Sequence, residues 1–341
     1  MLRKILFVLS ITTLFLYGSE NVNNTKFFNQ LINNISNTAN SKLPDEIKLQ
    51  KIQQYVSKLK LAKKKKEDKK KSLYDLEAFQ FNLMSHHDNY LLFGGHSSTS
   101  LKQKHWDSNG QRDYSRDYQR NTNEAQFQLS LKVPLIMNMF DTTADLYVAY
   151  TQNSYWQVYD TEHSSPFRET NYMPELFVEF QPELDLGWTT LDKTRLSFIH
   201  QSNGQDIGYS RSWNRTELMA QFKNDNLIYG FNIWDRWNED AKLTPADTNG
   251  DDNPDLEDYI GKQKLFAKYQ YNHYGFSLEH QNSILNYDIH KGNTKFDITL
   301  PTPSKNFDLF VRYFYGYGES LIDYDVKIRR LSLGVKIHEW Y

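Results

Sequence analysis

From about residue 89 onward, apolar and polar residues alternate along the chain. Phe127, Leu129, Leu131, Val133 and Leu135 interleave with Gln126, Gln128, Ser130, Lys132 and Pro134. The same period recurs in Leu146/Val148/Tyr150, Leu176/Val178/Phe180, Leu196/Phe198, Leu218/Ala220/Phe222 and Leu227/Tyr229/Phe231/Ile233. It continues in Leu265/Ala267/Tyr269/Tyr271, Phe276/Leu278, Phe296/Ile298/Leu300, Phe307/Leu309/Val311/Tyr313/Tyr315 and Leu331/Leu333/Val335/Ile337. Residues two apart on an extended strand share a face, so each segment predicts a strand with one apolar and one polar side. With a less regular strand near Tyr90 to Phe93, there are about a dozen, and an even number is what a bacterial barrel needs. Polar stretches such as Trp106 to Gly110 and Asp247 to Asp258 have turn and long-loop composition.

A soluble β-sandwich also alternates. Two features favour a membrane barrel instead. The strands run to about 10 residues, the length of a tilted membrane crossing. The chain also begins like an exported protein, yet after its N-terminus it has no run of about 18 apolar residues. A closed barrel is then the spanning structure left open to it. Composition agrees. The apolar fraction is 39%, low for a helical membrane protein, while 23 Tyr, 21 Phe and 7 Trp suit strands and interfacial aromatic girdles. The absence of Cys excludes disulfides, thiolate metal sites and Cys nucleophiles. A net charge of −2 selects no partner, and no nucleic-acid partner is expected. The chain ends Glu339-Trp340-Tyr341, an aromatic terminus similar to those of bacterial outer-membrane barrels.

The N-terminus reads as a signal peptide over residues 1–19. Arg3 and Lys4 precede the apolar run Ile5 to Tyr17, and Gly18 and Ser19 offer small residues for cleavage. Residues 20–80 form an Asn- and Lys-rich, partly helical periplasmic extension. Leu49, Ile52, Val56 and Leu59 recur at helical spacing after Pro44, and Lys63 to Lys66 with Lys69 to Lys71 form a solvated or anion-seeking face. Residues 85–341 are the expected barrel. The fold expected is therefore all-β, a 12-stranded antiparallel transmembrane β-barrel, placed in the bacterial outer membrane.

The chemistry concentrates in Phe198-Ile199-His200-Gln201-Ser202-Asn203-Gly204 and Tyr209-Ser210-Arg211-Ser212-Trp213-Asn214-Arg215. His200 and Ser202 are two apart, so on a strand a base and a hydroxyl are neighbours. A serine hydroxyl becomes a good nucleophile when a base takes its proton. The imidazole needs its other nitrogen held by an acceptor, and the Asn214 amide oxygen can serve. His200 and Ser202 share parity with Leu196 and Phe198, and Asn214 with Leu218, Ala220 and Phe222. On a membrane barrel that parity faces lipid. Catalytic groups there reach only substrates lying in the membrane, which points to lipid esters. A bare His-x-Ser spacing is weak, since both residues also suit a strand end at the wet interface.

The combined strings are far more specific: they resemble the outer-membrane phospholipase A family. Ser164-Ser165-Pro166-Phe167-Arg168-Glu169-Thr170-Asn171-Tyr172, Asp251-Asp252-Asn253-Pro254-Asp255 and Tyr315 to Tyr324 look like further motifs of that family, extending the similarity over about residues 85 to 341. The resemblance implies a calcium-dependent phospholipase A1/A2 and lysophospholipase that is active as a homodimer. It implies Ser202 as nucleophile, His200 as general base and Asn214 as the residue orienting it, with the Gly204 backbone N–H in the oxyanion hole. It further implies Ca2+ held by the Gln205 carbonyl, Ser210 and Ser164 of the partner subunit. Asp252 matches a carboxylate of a secondary calcium site, and Gln152 a polar contact across the dimer interface. Two positions depart from the family pattern: Gln205 stands where Arg is frequent, and Ile207 stands where the secondary site uses Asp, with Asp206 one position earlier. Phospholipid and outer-membrane lipid are the expected partners. Acyl transfer to a second lipid is an enzymatic alternative. The non-enzymatic alternative is a porin, although twelve strands leave a narrow interior that Gln128, Lys132, Arg195 and Arg312 can fill.

Overall fold

Each alternating segment forms a strand, and the strands close on themselves. In chain order they are β1 (Tyr90–Ser97), β2 (Asn123–Met139), β3 (Ala144–Trp156), β4 (Phe167–Phe180), β5 (Thr190–Ser202) and β6 (Ser212–Asn224). They continue as β7 (Leu227–Arg236), β8 (Gln263–Tyr271), β9 (Tyr274–Asn282), β10 (Gly292–Leu300), β11 (Phe307–Gly316) and β12 (Ile328–Ile337). Every neighbouring pair is antiparallel, and β12 returns to β1 with Leu331 opposite His96 and Val335 opposite Leu91. The computed structural model describes residues 83–337 apart from 108, 109, 140, 141, 245, 246, 248, 283–290 and 305, together with isolated positions between 37 and 51. Positions 46, 47, 50 and 51 after Pro44 are helical. The expected signal peptide, the four residues of the helical stripe, the lysine run and the aromatic terminus lie outside the described residues.

The barrel is apolar outside and polar inside. Leu196, Phe198, Leu218, Leu265, Leu331 and Leu333 are exposed, whereas the alternate positions Glu175, Glu179, Ser197, Arg215, Asp297 and Arg312 are buried. Water would reward the opposite arrangement, so the medium around the wall is hydrocarbon. β1 is less regular because its register slips between Leu92 and Gly95. The slip occurs where Gly95 lies so close to the β2 backbone that a Cβ would sit 2.7 Å from the Glu124 carbonyl oxygen.

Many interior charges are paired. Arg168, with a fully buried side chain, binds Glu124 at 2.9 Å and Asp323 at 2.7 Å. Arg330 reaches Glu124 at 2.8 Å and Glu319 at 2.7 Å, and Arg120 reaches Asp323 at 2.9 Å. Elsewhere in the lumen Arg195 pairs with Glu179 at 2.7 Å and Arg312 with Asp297 at 2.8 Å. Lys132 lies 3.8 Å from Glu179, and Gln128 donates to the Asp88 carbonyl at 2.7 Å. The four interior residues read from the sequence thus lie in the lumen, where Gln128 and Arg312 also line a cavity.

One end of the barrel has tight turns, as at Asp225 and Asn272, which adopt the left-handed conformation that Asp and Asn tolerate. The other end carries the long connections 98–122, 203–211, 237–262 and 317–327. Short turns mark the periplasmic side of such barrels and long loops the extracellular side. His200 and Ser202 lie at the long-loop end.

Candidate active site

β5 ends at Ser202 and β6 begins at Ser212, so the loop 203–211 joins the two strands that carry the predicted residues. Register sets Asn214 opposite His200 and Ser212 opposite Ser202, and on its other side Ser202 faces Tyr172 of β4. His200 is exposed on the outer wall with Leu196 and Phe198, and Ser202 is half-buried. His200 Nδ1 lies 2.8 Å from Asn214 Oδ1. The histidine and its orienting asparagine are therefore joined. Ser202 shares their face, but among the described residues no hydrogen bond links its hydroxyl to His200. The Asn214 amide nitrogen donates to Glu239 at 2.9 Å, a contact that no motif announced.

Asn203, which the sequence reading passed over, shapes the loop. It is buried, its Oδ1 accepts from Arg211 N at 2.9 Å, and its Nδ2 donates to the Tyr209 carbonyl at 2.9 Å. An Asn bonding to backbone two residues on is a turn-forming device, and Asn203 Oδ1 also accepts from Gln205 N at 3.4 Å. Gly204 follows in the left-handed region, φ +60°, where a Cβ would stand 3.2 Å from the Tyr172 ring. A side chain there meets both backbone strain and the ring. Trp106 stacks edge-on against Tyr209 at 4.5 Å, so the 98–122 loop packs over this one. That loop is held in turn by Arg112, whose 2.6 Å hydrogen bond keeps the Asp117 carboxyl below the usual carboxylate range.

The Asp251 to Asp255 motif proves largely architectural. Buried Asp251 pairs with Arg236 at 2.6 Å, and Asn253 Oδ1 accepts from Ser212 N at 3.1 Å. The helix α1 (Leu256–Ile260) then packs on Trp213, Trp234, Leu321 and Tyr324. Burial, reinforced by the Asp255 carboxylate, pushes the Tyr324 phenol up. These anchors bring Asp252 to Ser210, whose hydroxyl donates to it at 2.7 Å. Lys242 takes the other Asp252 oxygen at 2.7 Å. The sequence reading assigned Ser210 and Asp252 to separate calcium sites; in the structure they touch. The Ser164 to Tyr172 and Tyr315 to Tyr324 motifs are likewise partly structural, supplying Arg168 and its partners Glu319, Ser320 and Asp323.

Gln205 and Ser164 are exposed on different loops, and among the described residues no hydrogen bond joins Ser164 to Ser210 or Gln205. Ser164 and its neighbour Ser165 both have positive φ, 61° and 49°. The donors offered by Gln205, Ser210, Ser164 and Asp252 are all oxygen, the chemistry that calcium accepts. Asp252 would have to leave Lys242 to join them. Gln152 is on the outer face beside Val148 and Tyr150, and donates to Ser154 Oγ at 3.1 Å. Among the described residues the one His/Asp/Glu group with metal-ligand proximity is His86, His87 and Glu175 in the lumen, with ligand atoms within 4.8 Å. Its imidazoles suit transition metals rather than calcium. A 2.8 Å His86 Nε2–Glu175 hydrogen bond and a 2.6 Å bond from Ser197 to Glu175 tie part of this group into the lumen wall, while buried His86 Nδ1 has no hydrogen-bond partner among the described residues.

Comparison with known proteins agrees with this architecture. Residues 64–337 match the family model described as Phospholipase A1. The chain is 33% identical over 265 residues to the phospholipase A1 of Escherichia coli K12, covering 76% of this chain and 86% of that protein. It is 36% identical over 223 residues to a putative phospholipase A1 of Neisseria meningitidis serogroup B, covering 63% of this chain and 55% of that one. Among solved structures it resembles the outer membrane phospholipase A of Escherichia coli, with TM-score 0.64, 30% identity, and coverage of 76% and 100%. It resembles equally the calcium-bound dimer of the Salmonella typhi outer membrane phospholipase, with TM-score 0.64, 30% identity, and coverage of 76% and 93%. The chain belongs to the outer-membrane phospholipase A1 family, as an ester hydrolase set in the outer membrane.

Proposed function

We propose that this chain hydrolyses phospholipid acyl esters in a calcium-dependent reaction, with Ser202 as nucleophile, His200 as general base and Asn214 orienting the imidazole. The observation that carries the reading is the 2.8 Å contact between His200 Nδ1 and Asn214 Oδ1, placed on the apolar outer wall beside Ser202. An acceptor on Nδ1 keeps the proton there and leaves the Nε2 lone pair for the Ser202 hydroxyl. A polar group on a lipid-facing wall is costly and marks function by default.

His200 takes the Ser202 proton as Oγ attacks the ester carbonyl carbon. The negative charge that develops on the carbonyl oxygen accepts from the Gly204 N–H, whose direction follows from the left-handed backbone at that residue. Collapse breaks the ester bond, and the lysophospholipid alkoxide leaves with the proton from His200. Water, deprotonated by His200, then attacks the acyl-Ser202 ester and releases the fatty acid. The Gln205 carbonyl, Ser210 and Ser164 of the partner subunit would hold calcium. When bound, the ion supplies positive charge close to the reacting carbonyl. A ligand shared between subunits makes the active form a homodimer, with Gln152 as a polar contact across the interface. The Salmonella typhi relative is described as a dimer with bound calcium, which supports both points. A porin reading gains nothing here, because paired charges occupy the lumen.

A long-chain sulfonyl fluoride tests the reading directly. In detergent with calcium it is expected to inactivate the enzyme and to attach at Ser202, located by peptide mass. Attachment elsewhere, with Ser202 unmodified and activity lost, would overturn the assignment. Chelating calcium is expected to stop both labelling and turnover, and re-adding calcium to restore them. Ser210→Ala is expected to raise the calcium concentration for half-maximal activity about tenfold, since losing one supporting group costs a site on that order. An unchanged calcium titration would remove Ser210 from the ligand set.

A further inference from the structure

Asn214 has two amide ends of nearly equal size, and only one of them serves the chemistry. With Oδ1 against His200 Nδ1, the imidazole keeps its proton on Nδ1 and Nε2 is free to act as base. With the amide turned over, the NH2 group would face Nδ1 and force the proton onto Nε2, the wrong tautomer. An asparagine alone does not choose between these states. Glu239 does. Its Oε1 lies 2.9 Å from Asn214 Nδ2. An ionised carboxylate only accepts hydrogen bonds, so it pairs with the NH2 end and leaves the carbonyl end for His200.

The local fold holds Glu239 there. The β6–β7 ladder ends with Arg215 opposite Arg236. Beyond it Trp237 continues along β6: its N–H donates to the Asn214 carbonyl at 2.9 Å and its indole to Thr216 Oγ1 at 2.9 Å. Trp237 also stands 6.4 Å from the Phe198 ring, ring centre to ring centre. The segment that carries Glu239 is thus tied to Asn214 by backbone and by side chain. Glu239 makes no ion pair among the described residues, so its carboxylate is committed to the amide.

We propose that Glu239 is a positioning residue, the outermost member of a Glu239–Asn214–His200–Ser202 relay. It sets the orientation of the Asn214 amide and supplies the negative charge that an Asn in place of an Asp forgoes. This rests on the reading of Ser202, His200 and Asn214 as the reacting set. Glu239 acts through Asn214 and touches neither substrate nor the reacting atoms.

The test uses the full chain in calcium-containing mixed micelles, with kcat and KM measured separately. Glu239→Ala is expected to lower kcat about tenfold at unchanged KM, the scale on which losing a supporting hydrogen bond acts. Glu239→Gln is expected to retain more activity, because its amide carbonyl can still accept from Asn214. Asn214→Asp sets two carboxylates against each other and is expected to be poorly active. Adding Glu239→Gln to it replaces that repulsion with an N–H donor and is expected to recover at least about tenfold. A merely structural Glu239 would not produce that recovery. Wild-type kcat in Glu239→Ala, or an Asn214→Asp/Glu239→Gln double variant no better than Asn214→Asp, would overturn the proposal. A Ser202→Ala control separates the two levels: full activity there means the reading of the site has failed, whereas an inactive control beside a wild-type Glu239→Ala sinks the relay alone.

Discussion

Ser202→Ala is expected to lower calcium-dependent fatty-acid release by at least about 10⁴-fold, roughly 5.5 kcal/mol of transition-state stabilisation. In the proposed reaction the Ser202 hydroxyl forms the new bond, and no other group of the proposed set would carry the acyl group. What survives is the background from oxyanion stabilisation and substrate positioning, which in a serine hydrolase is a small remainder. The barrel is expected to assemble unchanged. Ser202 closes β5 through backbone pairing with Ser212 and Tyr172, and that pairing does not depend on its side chain. Titrating the fatty acid released from phospholipid micelles, together with the heat-dependent gel mobility of the folded barrel, measures both parts. Release within about tenfold of wild type would leave Ser202 without the role of nucleophile.

Arg168→Met is expected to have the largest effect on stability, about 3–5 kcal/mol. The Arg168 side chain is fully buried and binds Glu124, Asp323 and Ser320, with Glu319 at 3.7 Å. Methionine fills much of the volume and carries no charge, so Glu124 and Asp323 each lose one of two arginine partners. The remaining cations, Arg330 and Arg120, are already shared with the same acids. Removing one partner of such a group costs more than the group contributes, because the group keeps a buried negative charge in excess of its cations. Adding Glu124→Gln to Arg168→Met is expected to recover part of the loss by removing the excess negative charge. Urea unfolding in lipid vesicles measures both, and an unchanged midpoint in Arg168→Met would show that the cluster adjusts at no cost.

The strands were legible because a two-residue period is a property of the backbone itself. All eleven alternating segments and the less regular twelfth became strands, and the parity of His200, Ser202 and Asn214 placed them on the lipid face before any contact was known. The register that sets His200 opposite Asn214 follows from two such strands joined by one short loop. The Tyr90 to Phe93 segment read as irregular for a reason the structure supplies: close approach of β1 to β2 and β12 makes the ladder slip there.

Tertiary structure alone decided the environment of those residues. Glu239 lies 25 positions from Asn214, Asp252 lies 42 from Ser210, and Asp323 lies 155 from Arg168. In sequence Glu239 is an acidic residue in a polar stretch, which reads as solvated loop, and the motifs that hold Asp252 and Asp323 do not name Ser210 or Arg168 as their partners. Nothing periodic connects a loop carboxylate to the strand it folds over, because loop contacts depend on how long connections settle across the barrel mouth. Alternation therefore determined which wall carries the residues proposed for hydrolysis and which wall faces lipid. The folded loops determined what holds the Asn214 amide, what faces Ser210, and which motif residues stabilise the lumen instead of touching a substrate.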